Sequence, residues 1–173
     1  MNRQWSKVKA DVRRLWAPSV RKRLDVHATL YRPDHEDAGR AWLTWDGVEV
    51  YSFDDAKFWN RTYPLSDQLK ELGMDADGAW DRSVATANAE GQTSLSGFYA
   101  SIEAFLRCSI AEALASDDPI VRGFAMVDRR AGRRTLTSKT LAPEGHPFVR
   151  RLLDLRLEAD GWDVGGSRDI ARR

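Results

Sequence analysis

One cysteine among 173 residues, Cys108, leaves no internal disulfide and no cluster of metal-binding thiolates to consider. Histidine is almost as scarce. His27, His35 and His146 stand too far apart for a zinc-site pair or a His-Glu-x-x-His helix. No phosphate-binding loop, dinucleotide-binding glycine fingerprint or nucleophile elbow occurs. Long apolar runs are missing too, since none nears the ~18–20 residues a membrane span requires. The opening "MNRQWSKVKADVRRLW" is charged throughout and lacks the apolar centre of a secretion signal. Together these absences point away from motif-based catalysis and toward a cytoplasmic protein with no cofactor and no membrane span.

What is present is globular in composition, 42% hydrophobic and 31% charged. The net charge of +1 conceals a segregation. Residues 1–24 carry eight basic side chains and one acid, a balance of +7; residues 25–119 carry seven and eighteen, a balance of −11; residues 120–173 carry twelve and seven, a balance of +5. Two arrangements account for this: basic ends folded onto the acidic middle, or an anionic partner for the ends.

Periodicity predicts the elements. Trp5, Val8, Val12, Leu15 and Trp16 form one face of an amphipathic helix that Pro18 stops. "LDVHATLYR" alternates as a half-buried strand does. In "RAWLTWDGVEVYSF", Asp46-Gly47 suits a two-residue type I′ turn, which would set Trp42 opposite Tyr51 and Leu43 opposite Val50. That register gives the sheet two apolar faces, one of them holding Trp42, Tyr51 and Phe53. Such a face must be covered by helices or bind something, as the base-stacking sheets of RNA-binding proteins do.

Helical patterns follow. One runs from Pro64 to Leu72 and stops at Gly73. The polar stretch 74–93 reads as a short helix around Trp80 and Val84 or as a loop. Residues 95–114 carry a broad apolar stripe behind Ser94, a candidate N-cap, with Cys108 inside it as a packing residue. "DDPIVRGFAMVDRRAGRR" starts with an Asp118 cap and Pro119. A hairpin is the alternative, since Gly123 weakens a helix and "DRRAGRR" could turn; the expected helix ends at Gly132, with Arg129 and Arg130 in the last turn and Arg133 and Arg134 just beyond. "HPFVRRL" echoes "DPIVRGF" and opens a helix that stops at Gly161. The echo is similar to helices of HEAT-type repeats, but two copies are too few for a solenoid.

The expected whole is a single α+β domain over residues 1–160, followed by a flexible basic tail over 161–173. It comprises an N-terminal amphipathic helix, a three-stranded antiparallel β-meander and a C-terminal cluster of three or four helices. The segments "WSKVK", "YRPDHEDAGRAWLTWDGVEVYSF", "DDPIVRGFAMVDRRAGRRTL" and "HPFVRRLLDLRLEADG" together resemble a family of small uncharacterised bacterial proteins. The resemblance implies a single bacterial domain and carries over no functional residue.

The leading functional expectation is a non-catalytic interaction or regulatory protein that docks another macromolecule. Seven tryptophans and the segregated charge support it, because tryptophan and arginine dominate binding hot spots. A protein partner is expected, and nucleic acid is the other candidate. Its phosphates would meet Arg129, Arg130, Arg133 and Arg134, together with Lys7, Lys9, Arg13 and Arg14. The alternative is a small metal-dependent enzyme or ligand-binding domain using the loop Asp34, His35, Glu36 and Asp37, with residues 75–93 as a lid.

Overall fold

In the computed structural model, residues 4–31, 38–137 and 145–162 are described. The chain opens with α1 (Trp5–Leu15) and a short α2 (Pro18–Arg21). The meander follows as β1 (Leu24–Leu30), β2 (Gly39–Trp45) and β3 (Val48–Asp54), antiparallel with β2 central. The remaining helices are α3 (Asp55–Glu71), α4 (Ala76–Ala89), α5 (Leu95–Arg107), α6 (Ile110–Ala115), α7 (Pro119–Val127), α8 (Arg133–Leu136) and α9 (Pro147–Asp160). This is the expected α+β architecture, with the helical part divided more finely than the sequence suggested. The Asp34–Asp37 loop and the tail beyond Trp162 lie outside the described residues.

The turn at Asp46-Gly47 forms with positive φ at both residues, 50° and 82°, and pairs Trp45 with Val48 and Thr44 with Glu49. Beyond that the register shifts. Leu43 pairs with Tyr51, Trp42 with Ser52 and Ala41 with Phe53, leaving Val50 as a bulge. One extra residue in β3 sends its later side chains to the opposite face. The expected aromatic face of Trp42, Tyr51 and Phe53 is therefore divided. Tyr51 and Phe53 join Ala41 and Leu43 on the inner face, and Trp42 remains outside beside His27, its partner on β1. The outer face is thus polar around a single tryptophan.

The inner face builds the core. Leu24, Val26, Ala41, Leu43 and Phe53 pack with Val8 and Val12 of α1, Phe98 and Ile102 of α5, Phe124 of α7, and Phe148 and Leu152 of α9. Phe53 lies 5.1 Å from both Phe98 and Phe148 between ring centres. Burial pushes the Tyr51 phenol up to about 12, and its hydroxyl donates to the Gly91 carbonyl at 2.9 Å.

Gly123, which weakens α7 as a helix, lets α7 and α9 close on each other: a Cβ there would sit 2.4 Å from the Phe148 ring. The two echoing segments thus become a packed helix pair, each with proline at its start.

Several boundaries differ from the expected ones. α3 begins nine residues before Pro64 because Asp54 caps it, accepting from the N–H groups of Ala56 and Lys57. Pro64 sits inside the helix. The 74–93 stretch holds a full fourteen-residue helix, α4, capped by Asp75. The long stripe after Ser94 breaks at Cys108, where Ser109 and Glu112 form a capping box that starts α6.

Candidate anion-binding surface

α7 stops at Val127, five residues short of Gly132, because Asp128 takes an extended backbone and pairs with Trp16 in an antiparallel bridge. Arg129 and Arg130 therefore lie beyond the helix and do not complete its last turn. The Ala17 N–H donates to the Val127 carbonyl, and the Arg129 N–H donates to that of Leu15, both at 2.8 Å. The arginine-rich loop is thereby fixed against the end of α1. Two basic clusters more than a hundred residues apart in sequence become neighbours.

Inside the loop, Asp128 is fully buried and its carboxylate accepts from Arg130 three ways: from the backbone N–H at 2.8 Å, from Nε at 3.0 Å and from Nη2 at 2.6 Å. Arg156, only 5% exposed, reaches in from α9. Its Nη1 donates to the Asp128 carbonyl at 2.9 Å and its Nη2 to that of Ala131 at 3.2 Å, while its Nε meets Asp160 at 2.5 Å. Trp162 stacks on the same guanidinium at 5.2 Å. Buried charges of this kind persist only when their hydrogen-bonding capacity is filled, and here it is filled largely by the loop backbone. Asp128 and Arg156 were not singled out in the sequence. Their signals were the Asp-x-Arg spacing of a side-chain turn and an arginine set among the leucines of "RLLDLRLEAD".

The eight basic residues named from sequence fall into two groups. Lys9 and Arg13 grip Asp25 of β1 at 2.8 and 2.7 Å, Arg14 pairs with Asp11 along α1, and Arg130 belongs to the buried lock. Burial alone would raise the Asp25 carboxyl. Hydrogen bonds from Lys9 and the Val26 N–H, with the charges of Lys9 and Arg13, outweigh it and hold the group below the usual carboxylate range. Arg23 likewise bridges Asp46 and Glu158 over the Trp45 ring. Part of the charge segregation is thus internal, basic ends laid on acidic residues. Lys7, Arg129, Arg133 and Arg134 are exposed and form no ion pair among the described residues.

Around these groups, Lys9, Arg13, Arg14 and Arg21 line a shallow groove along α1. On the outer sheet face Trp42 stacks on His27 at 5.0 Å and carries Arg40 at 4.8 Å, so an incoming base would have to displace a side chain already on that ring.

Elsewhere, a cleft of about 800 Å³ opens where α4, α5, α7 and the start of α9 converge. Its described lining mixes Ala89, Ala100 and Ile120 with Asn88, Gln92 and Asp117. Among the described residues no group of three His, Cys, Asp or Glu side chains could hold a metal ion, and no helix is long and apolar enough to cross a membrane.

No curated protein and no solved structure matches the chain. A family model described as the SF0329 protein family matches residues 4–157, and the chain belongs to that family.

Proposed function

We propose that this protein is a non-catalytic docking protein whose basic surface binds an anionic macromolecule, with nucleic-acid phosphates as the chemistry it fits. The observation that carries the reading is the loop 128–134. Its backbone is locked by buried Asp128 and Arg156, and it holds exposed Arg129, Arg133 and Arg134, which have no acidic partner among the described residues, beside the end of α1. Cations held on a rigid frame lose little freedom on meeting a phosphate, and each phosphate contact releases counterions.

The test is binding to duplex DNA, single strands and structured RNA at several salt concentrations, beside the variant with Arg129, Arg133 and Arg134 changed to glutamine. Arg130 stays, since it belongs to the lock. The expected result is binding that weakens steeply with salt, with a slope reduced by about one for each arginine removed. No binding to any of the three at low salt would overturn the nucleic-acid reading and leave protein partners.

The cleft supports a second reading, a ligand-binding domain, since its volume lies in the range of small-molecule sites. For the metal-dependent alternative resting on Asp34, His35, Glu36 and Asp37, bound divalent metal in the purified protein would count in favour and metal-free protein against.

A further inference from the structure

The α3–α4 hairpin joins the rest of the molecule chiefly at its base, through Asp55 and Asn88. α4 packs extensively against α3 alone, and neither helix contributes to the main core. Its seam is separate, with Phe58, Thr62 and Ser66 buried on α3 and Ala79, Ser83 and Ala87 on α4. Thr62 and Ser83 return their hydroxyls to their own helix backbones, so beyond Phe58 the seam closes on small side chains. Arg61 closes the base on Glu90 at 2.6 Å.

Its aromatic side is only partly buried, with Trp59 and Trp80 half-buried and Tyr63 exposed. Trp59 stacks on Trp80 at 6.0 Å and 19°, and Tyr63 lies 5.6 Å from each of them between ring centres. Tyr63 is 56% exposed, and at the tip Leu72 and Met74 are 78% and 39% exposed. Three of the six exposed large hydrophobic residues among the described residues therefore lie on this one element. Aromatic residues and methionine are the types enriched where proteins meet.

The charge around them has one predominant sign. Asp67 and Glu71 follow Tyr63 at helical spacing, and Asp77 precedes Trp80 by one turn. Residues 63–82 hold five acids against two bases, and one of those bases, Lys70, is already paired with Asp67.

We propose that the α3–α4 hairpin is a docking arm for a basic amphipathic helix of a partner protein. That helix would lie along the groove between the two helices, its apolar stripe on Trp59, Tyr63 and Trp80 and its lysines or arginines against the acidic rim. Such an occupant turns the hairpin into a three-helix unit and covers the exposed apolar groups. The acidic rim repels a nucleic acid, so this surface is distinct in chemistry from the arginine loop.

The test uses the full chain and a fluorescein-labelled 18-residue peptide of leucine and lysine patterned as an amphipathic helix, followed by anisotropy. A matched peptide with glutamate in place of lysine is the control. The expected result is saturable binding of the lysine peptide only, with hydrogen-exchange protection confined to residues 59–82. The double variant Tyr63→Ser, Leu72→Ser should bind at least tenfold more weakly at an unchanged thermal midpoint, while the Arg129, Arg133, Arg134 glutamine variant binds as the parent does. Equal binding by the double variant, protection outside the hairpin, or no binding of the lysine peptide would each overturn the proposal.

Discussion

The carboxylate of Asp55 accepts the backbone N–H of Leu95 at 2.7 Å with one oxygen and that of Gly39 at 2.8 Å with the other. Asp55 is 5% exposed, so one buried side chain ties the first residue of α3 to the starts of β2 and α5. It is the joint at which the docking hairpin meets the sheet. Asp55→Ala strands two buried donors and is expected to cost about 3 kcal/mol, lowering the thermal midpoint by roughly 6–12 °C. Asp55→Asn keeps one acceptor and should lose distinctly less. Calorimetry of both variants decides; equal small losses would show that the joint carries no stability.

The arginine loop divides sharply by role. Arg130→Gln leaves the buried Asp128 carboxylate without its guanidinium, at an expected cost of about 2 kcal/mol. Arg129→Gln, one residue away but with no ion pair among the described residues, should change stability by no more than about 0.5 kcal/mol. Urea unfolding of the two single variants reads the difference directly. If the order reversed, the lock described for this loop would be wrong.

Gly47 has open space around its Cα and a φ of 82°, so a side chain there meets backbone strain and no steric neighbour. Gly47→Val is expected to cost about 1–2 kcal/mol, seen as a lower thermal midpoint. An unchanged midpoint would mean that the turn relaxes to another type at no cost.

His27 supplies a pH dependence. Burial lowers its pKa; nearby Asp25 opposes this, and Lys9 and Arg13 reinforce it. A histidine whose folded pKa lies below its unfolded value of 6.5 contributes its full stability above that pH. The contribution is lost as pH falls through the folded pKa. The depressed Asp25 adds a second loss at lower pH, beginning near its unfolded value of 3.8. The midpoint of urea unfolding should therefore decline from pH 7 to pH 5 in the parent and stay flatter in His27→Gln. A parallel decline in both would remove His27 as the cause.

Much of the architecture was legible in the chain because it rests on local chemistry. Asp46-Gly47 announces its turn, Asp118-Pro119 and Ser94 announce helix starts, and Gly161 ends α9 with a φ of 63°. The misreadings arose where a distant or subtle contact decides. The bulge at Val50 is invisible to alternation, since the residues on both sides alternate correctly and only their phase changes. α7 ends at Val127 because Trp16, far away in sequence, offers Asp128 a bridge. The start of α3 was legible in principle from Asp54-Asp55, but the proline at position 64 drew the boundary to itself. Of the candidate surface, the sequence supplied the cations. It did not show which of them are spent on Asp25 and Asp128, because that is a matter of long-range pairing.

The pairing of Leu15 with Arg129 and of Ala17 with Val127 also has a kinetic side. α1 packs along its length on β1 and α5, while its end is bridged to residues more than a hundred positions later. Until those residues are in place, Trp16 lacks its bridge to Asp128. Contacts that span so much chain form late and slowly. Fixing the end of α1 thus waits on long-range pairing, and the arginine loop is held by the same two hydrogen bonds.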